Sequence, residues 1–267
     1  MFLRALARVA GTAGLLVAAV ACSRAPAPAT APIPGRPVST PRTGLEVIGA
    51  MRWAHPSREL QSLAFTVTTV EYGDGDSTIT RARVHAQLPG HLRVETLPTS
   101  SRTAYIRQYH RFALFEGGRR VTSASRMDLA SLLAYDVFAQ RIDTTVMWLD
   151  ASRMRIALLR REALDGRPVW VVGASSGDFT STQFWVDADR WRVLRVIQPD
   201  PRAPTRLEDV HFTHDTTLLD VPVPTRVLVY RGGRLAQRQT LSNFKTNPRV
   251  PARAFDLRRW RDVGTRN

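Results

Sequence analysis

The chain has 267 residues, and its 38 Lys or Arg against 23 Asp or Glu give a formal net charge of +15. That length accommodates one substantial core, and a single cysteine excludes an intramolecular disulfide. So basic a balance suits a nucleic-acid partner in a cytoplasmic protein, and the N-terminus argues against that compartment.

Residues 1–21 read as a signal peptide. Arg4 and Arg8 come without an acid, and the short apolar run Val9 to Val20 leads into Ala19-Val20-Ala21. The run falls short of the about 20 apolar residues that span a bilayer and is broken by Gly11, Thr12 and Gly14. Ala19-Val20-Ala21-Cys22 resembles a bacterial lipobox, with Ala19 where Leu is usual, so Cys22 is expected to carry a lipid and attach the chain to a membrane. The alternative is a free thiol on a soluble periplasmic protein. Ser23, in place of Asp, points by resemblance to the common sorting rule to the outer membrane. Residues 22–43 form a tether whose six prolines (Pro26, Pro28, Pro32, Pro34, Pro37 and Pro41) leave little to bury. At about 3.1 Å per residue it reaches roughly 60 Å. Without the two leader arginines the formal charge is +13, and Lys245 is the one lysine, so codon bias toward Arg accounts for much of the excess. If the charge is functional, phospholipid headgroups or acidic glycolipids are its natural partners.

One domain is expected over 44–257, followed by a tail at 258–267. Leu45, Ile48, Met51 and Arg52 are spaced as on a helix that stops before His55-Pro56. From Ser62 the period changes to two, with Leu63, Phe65 and Val67 on one face. Strand-like runs continue to Glu116 and close at Gly117-Gly118. Between Ser125 and Asp150 the spacing of Met127, Leu129, Leu132, Leu133, Val137 and Phe138 predicts one or two helices. Strands return from Arg155 to Phe244, with Asp165-Gly166 as a hairpin turn. The reading is mainly β with a helical insertion: a curved antiparallel sheet, or incompletely closed barrel, of about ten or eleven strands capped by helices. Runs such as Val169 to Val172 and Val227 to Tyr230 are apolar on both faces and need cover on each side.

This order resembles the LolA/LolB-like family of bacterial lipoprotein carriers and receptors. The local cues are the helix before the first strand, Leu88-Pro89-Gly90-His91-Leu92-Arg93-Val94-Glu95, Leu164-Asp165-Gly166-Arg167-Pro168, Gln183-Phe184-Trp185-Val186-Asp187 and the closing Phe255-Asp256-Leu257. The resemblance implies a concavity that holds acyl chains of lipids or lipidated proteins, and a membrane-anchored member suits the receptor role. On that implication Phe65, Val67, Leu92, Val94, Ile106, Leu114, Leu133, Phe138, Trp170, Phe184 and Trp185 are candidates to line a groove, although core packing accounts for each of them equally. The alternative function is an envelope sensor or scaffold that binds a protein partner through the same barrel.

No enzyme, cofactor or metal is expected. Gly173-Ala174-Ser175-Ser176-Gly177 satisfies G-x-S-x-G after a strand, but a nucleophile elbow must open a helix, and the following β-branched and aromatic residues predict a hairpin loop. His211 and His214, with Asp209 and Asp215, stand three apart on a strand and so project to opposite faces.

Overall fold

The computed structural model describes residues 40–56, 59–73 and 75–263. The expected signal peptide, Cys22 and the tether through residue 39 lie outside the described residues, as do 264–267 of the expected tail.

Helix α1 (Gly44–Ala54) starts on a capping pattern: the Thr43 hydroxyl accepts from the Glu46 N–H at 3.2 Å, and the Glu46 carboxylate accepts from the Arg42 N–H at 2.6 Å. It ends at His55, before Pro56. Strands β1 (Ser62–Tyr72), β2 (Ser77–Gln87), β3 (His91–Thr96), β4 (Ala104–Gln108), β5 (Arg111–Glu116) and β6 (Arg119–Ser125) then form a meander. The helical insertion follows as α2 (Leu129–Ala134), a 3₁₀ turn at Asp136–Phe138 and α3 (Ile142–Ala151). A second run comprises β7 (Arg155–Leu164), β8 (Arg167–Gly173), β9 (Gln183–Asp187), β10 (Val193–Asp200), β11 (Ala203–Thr213), β12 (Thr216–Leu218), β13 (Val221–Val223), β14 (Arg226–Arg231) and β15 (Arg234–Thr246).

Thirteen of these strands make one antiparallel sheet, ordered β6-β5-β4-β3-β2-β1-β15-β14-β11-β10-β9-β8-β7, and β12 pairs with β13 alone. Among the described residues the sheet does not close: β6 and β7 remain its edges. The expected curved sheet with a helical insertion is thus found, with more strands than the ten or eleven counted. β6 escapes an apolar-alternation search because Arg119 to Ser125 is exposed throughout and mostly polar, with no run of alternating apolar residues, yet its backbone pairs with β5. The joint between the two runs is β1 on β15, from Leu63 opposite Thr246 to Glu71 opposite Gln237.

Strand alternation divides the apolar residues between two faces. The inner face, with α1, α2 and α3, holds the main core, including Leu63, Phe65, Val84, Leu133, Phe138, Trp170 and Phe184. On the outer face of β4 and β5, Ala104, Ile106, Ala113 and Phe115 are covered by Ala254, Phe255 and Leu257 of the C-terminal segment, with Trp260 and Val263 packed against them. The packed domain therefore continues past the expected boundary at Leu257. Arg93 is fully buried there: it donates to the Ala254 carbonyl at 2.8 Å and to Glu95 at 2.7 Å, and lies 4.5 Å from the Trp260 ring centroid. A second outer cluster joins Val169, Val171, Trp185 and Leu194, so the doubly apolar β8 is covered on both sides.

His211 and His214 part company as strand geometry requires. His211 Nε2 sits 3.0 Å from Asp209, whereas His214 is buried beside Phe212. Burial pushes the His214 imidazole down to about 3, with Arg192 adding to the effect. A base with a depressed folded pKa is less protonated in the native state, so its contribution is present near neutrality and is lost as pH falls below about 6.5 toward 3. In urea titrations, lowering the pH from 7 to 5 is expected to destabilise the native chain by about 2 kcal/mol more than the His214→Gln variant.

Candidate functional site

Between the inner face of the sheet and α2 lies a cavity of about 90 Å³. Its walls come from both runs of strands: Phe65, Val67 and Thr69 on β1, Val84 and Ala86 on β2, Leu92 and Val94 on β3, Val210 and Phe212 on β11, Val227 and Val229 on β14, and Gln239 and Leu241 on β15. Ala130, Ser131 and Tyr135 of the helical insertion cover it. Alternation alone produces such a wall, because residues two apart on neighbouring antiparallel strands share one face: Phe65 stands opposite Val84, Val84 opposite Val94, and Val210 opposite Val229.

Polar contacts pin the cover at both ends. At its start, the Asp128 carboxylate accepts from Ser131 N–H at 3.2 Å and Ser131 Oγ at 2.7 Å, and Gln198 Oε1 accepts from Ala130 N–H at 3.1 Å. Gln198 also donates to Glu208 at 2.9 Å, which takes a further bond from Arg231 at 3.0 Å. Burial pushes the Glu208 carboxyl up, against the pull of Gln198 and Arg231. At the far end, Asp136 accepts from the Gly90 N–H at 2.8 Å and from Arg107 Nη2 at 3.4 Å. Arg52 of α1 donates to the Phe138 carbonyl. Gly90 is required where it stands: its φ is +87°, and a Cβ there would come within 2.4 Å of the Tyr109 ring.

Arg107 and Asp136 are both buried and both border the cavity. Burial pushes the Asp136 carboxyl up despite Arg107 and Gly90, while Asp136 and Asp128 outweigh desolvation to hold Arg107 firmly protonated.

Of the residues expected to line a groove, Phe65, Val67, Leu92 and Val94 border this cavity. Leu114, Leu133, Phe138, Trp170 and Phe184 lie in the inner core outside its lining. Ile106 and Trp185 are on the opposite face of the sheet. Each sits between two inward residues, Tyr105 and Arg107 in one case and Phe184 and Val186 in the other, so its own side chain points outward. Sequence reading missed Val210, Phe212, Val227 and Val229, which alternate along β11 and β14 and were recognisable in principle. It also missed Arg107 and Asp136, which carry no motif.

The Gly173 to Gly177 segment opens no helix. Gly177 is followed by a loop in which Asp178 Oδ1 accepts from Thr180 N–H at 2.8 Å and Ser181 N–H at 3.1 Å, and the chain then enters β9. Among the described residues no cluster of three or more His, Cys, Asp or Glu is arranged to hold a metal ion, and no helix is long and apolar enough to cross a membrane.

No known family model matches the sequence, and no curated protein does. Solved structures do resemble the fold, an open, curved antiparallel sheet capped by an inserted helical segment. A LolA superfamily protein from Nitrosomonas europaea matches 80% of this chain and 97% of its own at 14% identity, with a TM-score of 0.51. An outer membrane lipoprotein-sorting protein domain from Vibrio parahaemolyticus matches 80% and 96% at 13% identity, with a TM-score of 0.53. A DUF1329 family protein from Desulfovibrio piger matches 80% and 95% at 15% identity, with a TM-score of 0.52. The fold is therefore LolA-like.

Replacing Asp136 by Ala leaves the buried Arg107 charge without its partner, and chemical denaturation should read a loss of about 3–5 kcal/mol. Adding Arg107→Met to that variant should restore most of it, because an apolar side chain in the same place has no charge to compensate.

Proposed function

We propose that this chain is an envelope protein that takes an acyl chain of a lipid or lipoprotein into the cavity beneath α2, and that a lipid on Cys22 holds it on the outer membrane, facing the periplasm. The observation that carries the reading is the wall itself: apolar side chains from β1, β2, β3, β11, β14 and β15 meet under a cover of only six helical residues. The Vibrio parahaemolyticus neighbour is described as a lipoprotein-sorting domain, and that cargo is carried over here as part of the proposal.

A cavity of about 90 Å³ is smaller than the roughly 150 Å³ that admits benzene, so loading a chain displaces the cover. Ten methylenes leaving water contribute about 8 kcal/mol, whereas each hydrogen bond holding α2 contributes about 1 kcal/mol net. Capture therefore drives opening. Release needs a second apolar site of comparable depth. The work is binding and hydrophobic transfer, with no covalent step, and Ser175 lies in the β8–β9 loop away from the cavity.

Mass spectrometry of an organic extract of the full chain, purified from membranes, is expected to find acyl lipid. Val67→Trp combined with Val210→Trp should fill the cavity and lower the retained lipid at least about tenfold. Native protein that carries no lipid and binds no added fluorescent acyl probe sinks the reading. The anchor has its own test: radiolabelled palmitate is expected on the native chain, and Cys22→Ser should remove the label and release the protein from the membrane fraction.

A further inference from the structure

Four adjacent strands in the middle of the sheet, β2, β1, β15 and β14, turn a row of cations to the outside. Strands β2, β14 and β15 contain no Asp or Glu, and the one acid of β1, Glu71, is buried. The cross-strand register aligns the outward residues. Arg81, Thr68, Thr240 and Arg226 form one rung, Ile79, Val70, Arg238 and Leu228 the next, and Arg83, Thr66 and Ser242 a third, with Lys245 beyond them. Arg81, Arg83, Arg226, Arg238 and Lys245 are all exposed.

Composition alone does not make this patch. Elsewhere on the same outer face several strand arginines meet an acid: Arg93 with Glu95, Arg160 with Glu162, Arg195 with Asp209. Arg81, Arg83, Arg226 and Arg238 make no ion pair among the described residues; Glu95, which stands opposite Arg83, is taken up by Arg93. At about 4.8 Å per strand the rung from Arg81 to Arg226 spans roughly 14 Å, and it lies on a sheet surface, not in a cleft. Such a face fits an extended plane of negative charge better than one small anion. Hydroxyls of Thr66, Thr68, Thr240 and Ser242 stand between the cations as further donors. Ile79, which is 66% exposed, adds an apolar side chain on the same face, where a nucleic acid offers it nothing and the headgroup boundary of a bilayer does.

We infer that this outer face docks on a phospholipid bilayer rich in anionic headgroups. The cavity and α2 lie on the other side of the sheet, so docking turns the cover toward the aqueous compartment. The inference does not depend on what the cavity holds.

The test is co-sedimentation of the full chain with vesicles of phosphatidylcholine alone or with about one third phosphatidylglycerol. Any N-terminal anchor contributes to both vesicles, so the ratio between them reads the face. A basic side chain near an anionic surface strengthens binding about fivefold, so native protein should prefer the anionic vesicles at least about tenfold at 0.05 M salt. The preference should collapse near 0.5 M salt, where the screening length is only a few ångströms. Arg81→Gln, Arg83→Gln, Arg226→Gln and Arg238→Gln together should abolish it, and the smaller pair Arg81→Gln with Arg226→Gln, which leaves the fold least disturbed, should lower it measurably. Equal binding of native protein to both vesicles overturns the proposal. So does an undiminished preference in folded variants, or displacement from anionic vesicles by a duplex oligonucleotide at lower concentration than soluble phosphatidylglycerol.

Discussion

A sheet of this width is held to one shape by the requirement that both of its faces be covered wherever both are apolar. The inner face meets it through curvature and the helical insertion, which together enclose the main core. The outer face meets it piecemeal, with the C-terminal segment over β4 and β5 and the Trp185 cluster over β8 to β10. The central strands go without such cover because their outward residues are mostly polar or charged, with Ile79, Val70 and Leu228 set among them, and this division leaves a cavity on one side and a charged plane on the other.

The cover over the cavity differs in kind from the walls. The walls are apolar ladders locked by backbone pairing from both neighbours, whereas α2 is six residues long and its ends are tied by side-chain hydrogen bonds to β10, the β2–β3 turn and β4. Those bonds exchange readily with water once exposed, so they add specificity of position more than energy. The buried Arg107–Asp136 pair works the same way. It contributes little net stability compared with an apolar pair, but it penalises any arrangement that separates its members in a dry interior.

Much of the architecture was legible because it rests on local physics. The α1 spacing with its stop before Pro56, the change of period at Ser62 and the Asp165-Gly166 hairpin are short-range features, and all are found. Residues 125–151 lose the strand period and hold the helices. The site was less legible, because an outward and an inward apolar residue look alike when both faces are covered. Ile106 and Trp185 satisfied every apolar criterion for the groove and lie behind it. β6 was invisible for the opposite reason, since its side chains are all exposed and mostly polar. Arg107 and Asp136 meet across 29 positions, and only the fold brings them together.

The register of β1 against β15 carries a consequence for how the molecule comes into being. The strand that opens the sheet is completed by the one that ends it, with Leu63 opposite Thr246, so half the cavity wall is supplied by the last third of the polypeptide. Contacts so distant in sequence form late and slowly, because the intervening chain must be ordered before they bring any reward. Until β15 arrives, one edge of β1 is unpaired and Phe65 and Val67 lack their far wall. A growing or newly translocated chain therefore passes through an interval in which its future binding surface is open to any hydrophobic neighbour, and its survival depends on how quickly its own C-terminal strands claim that edge.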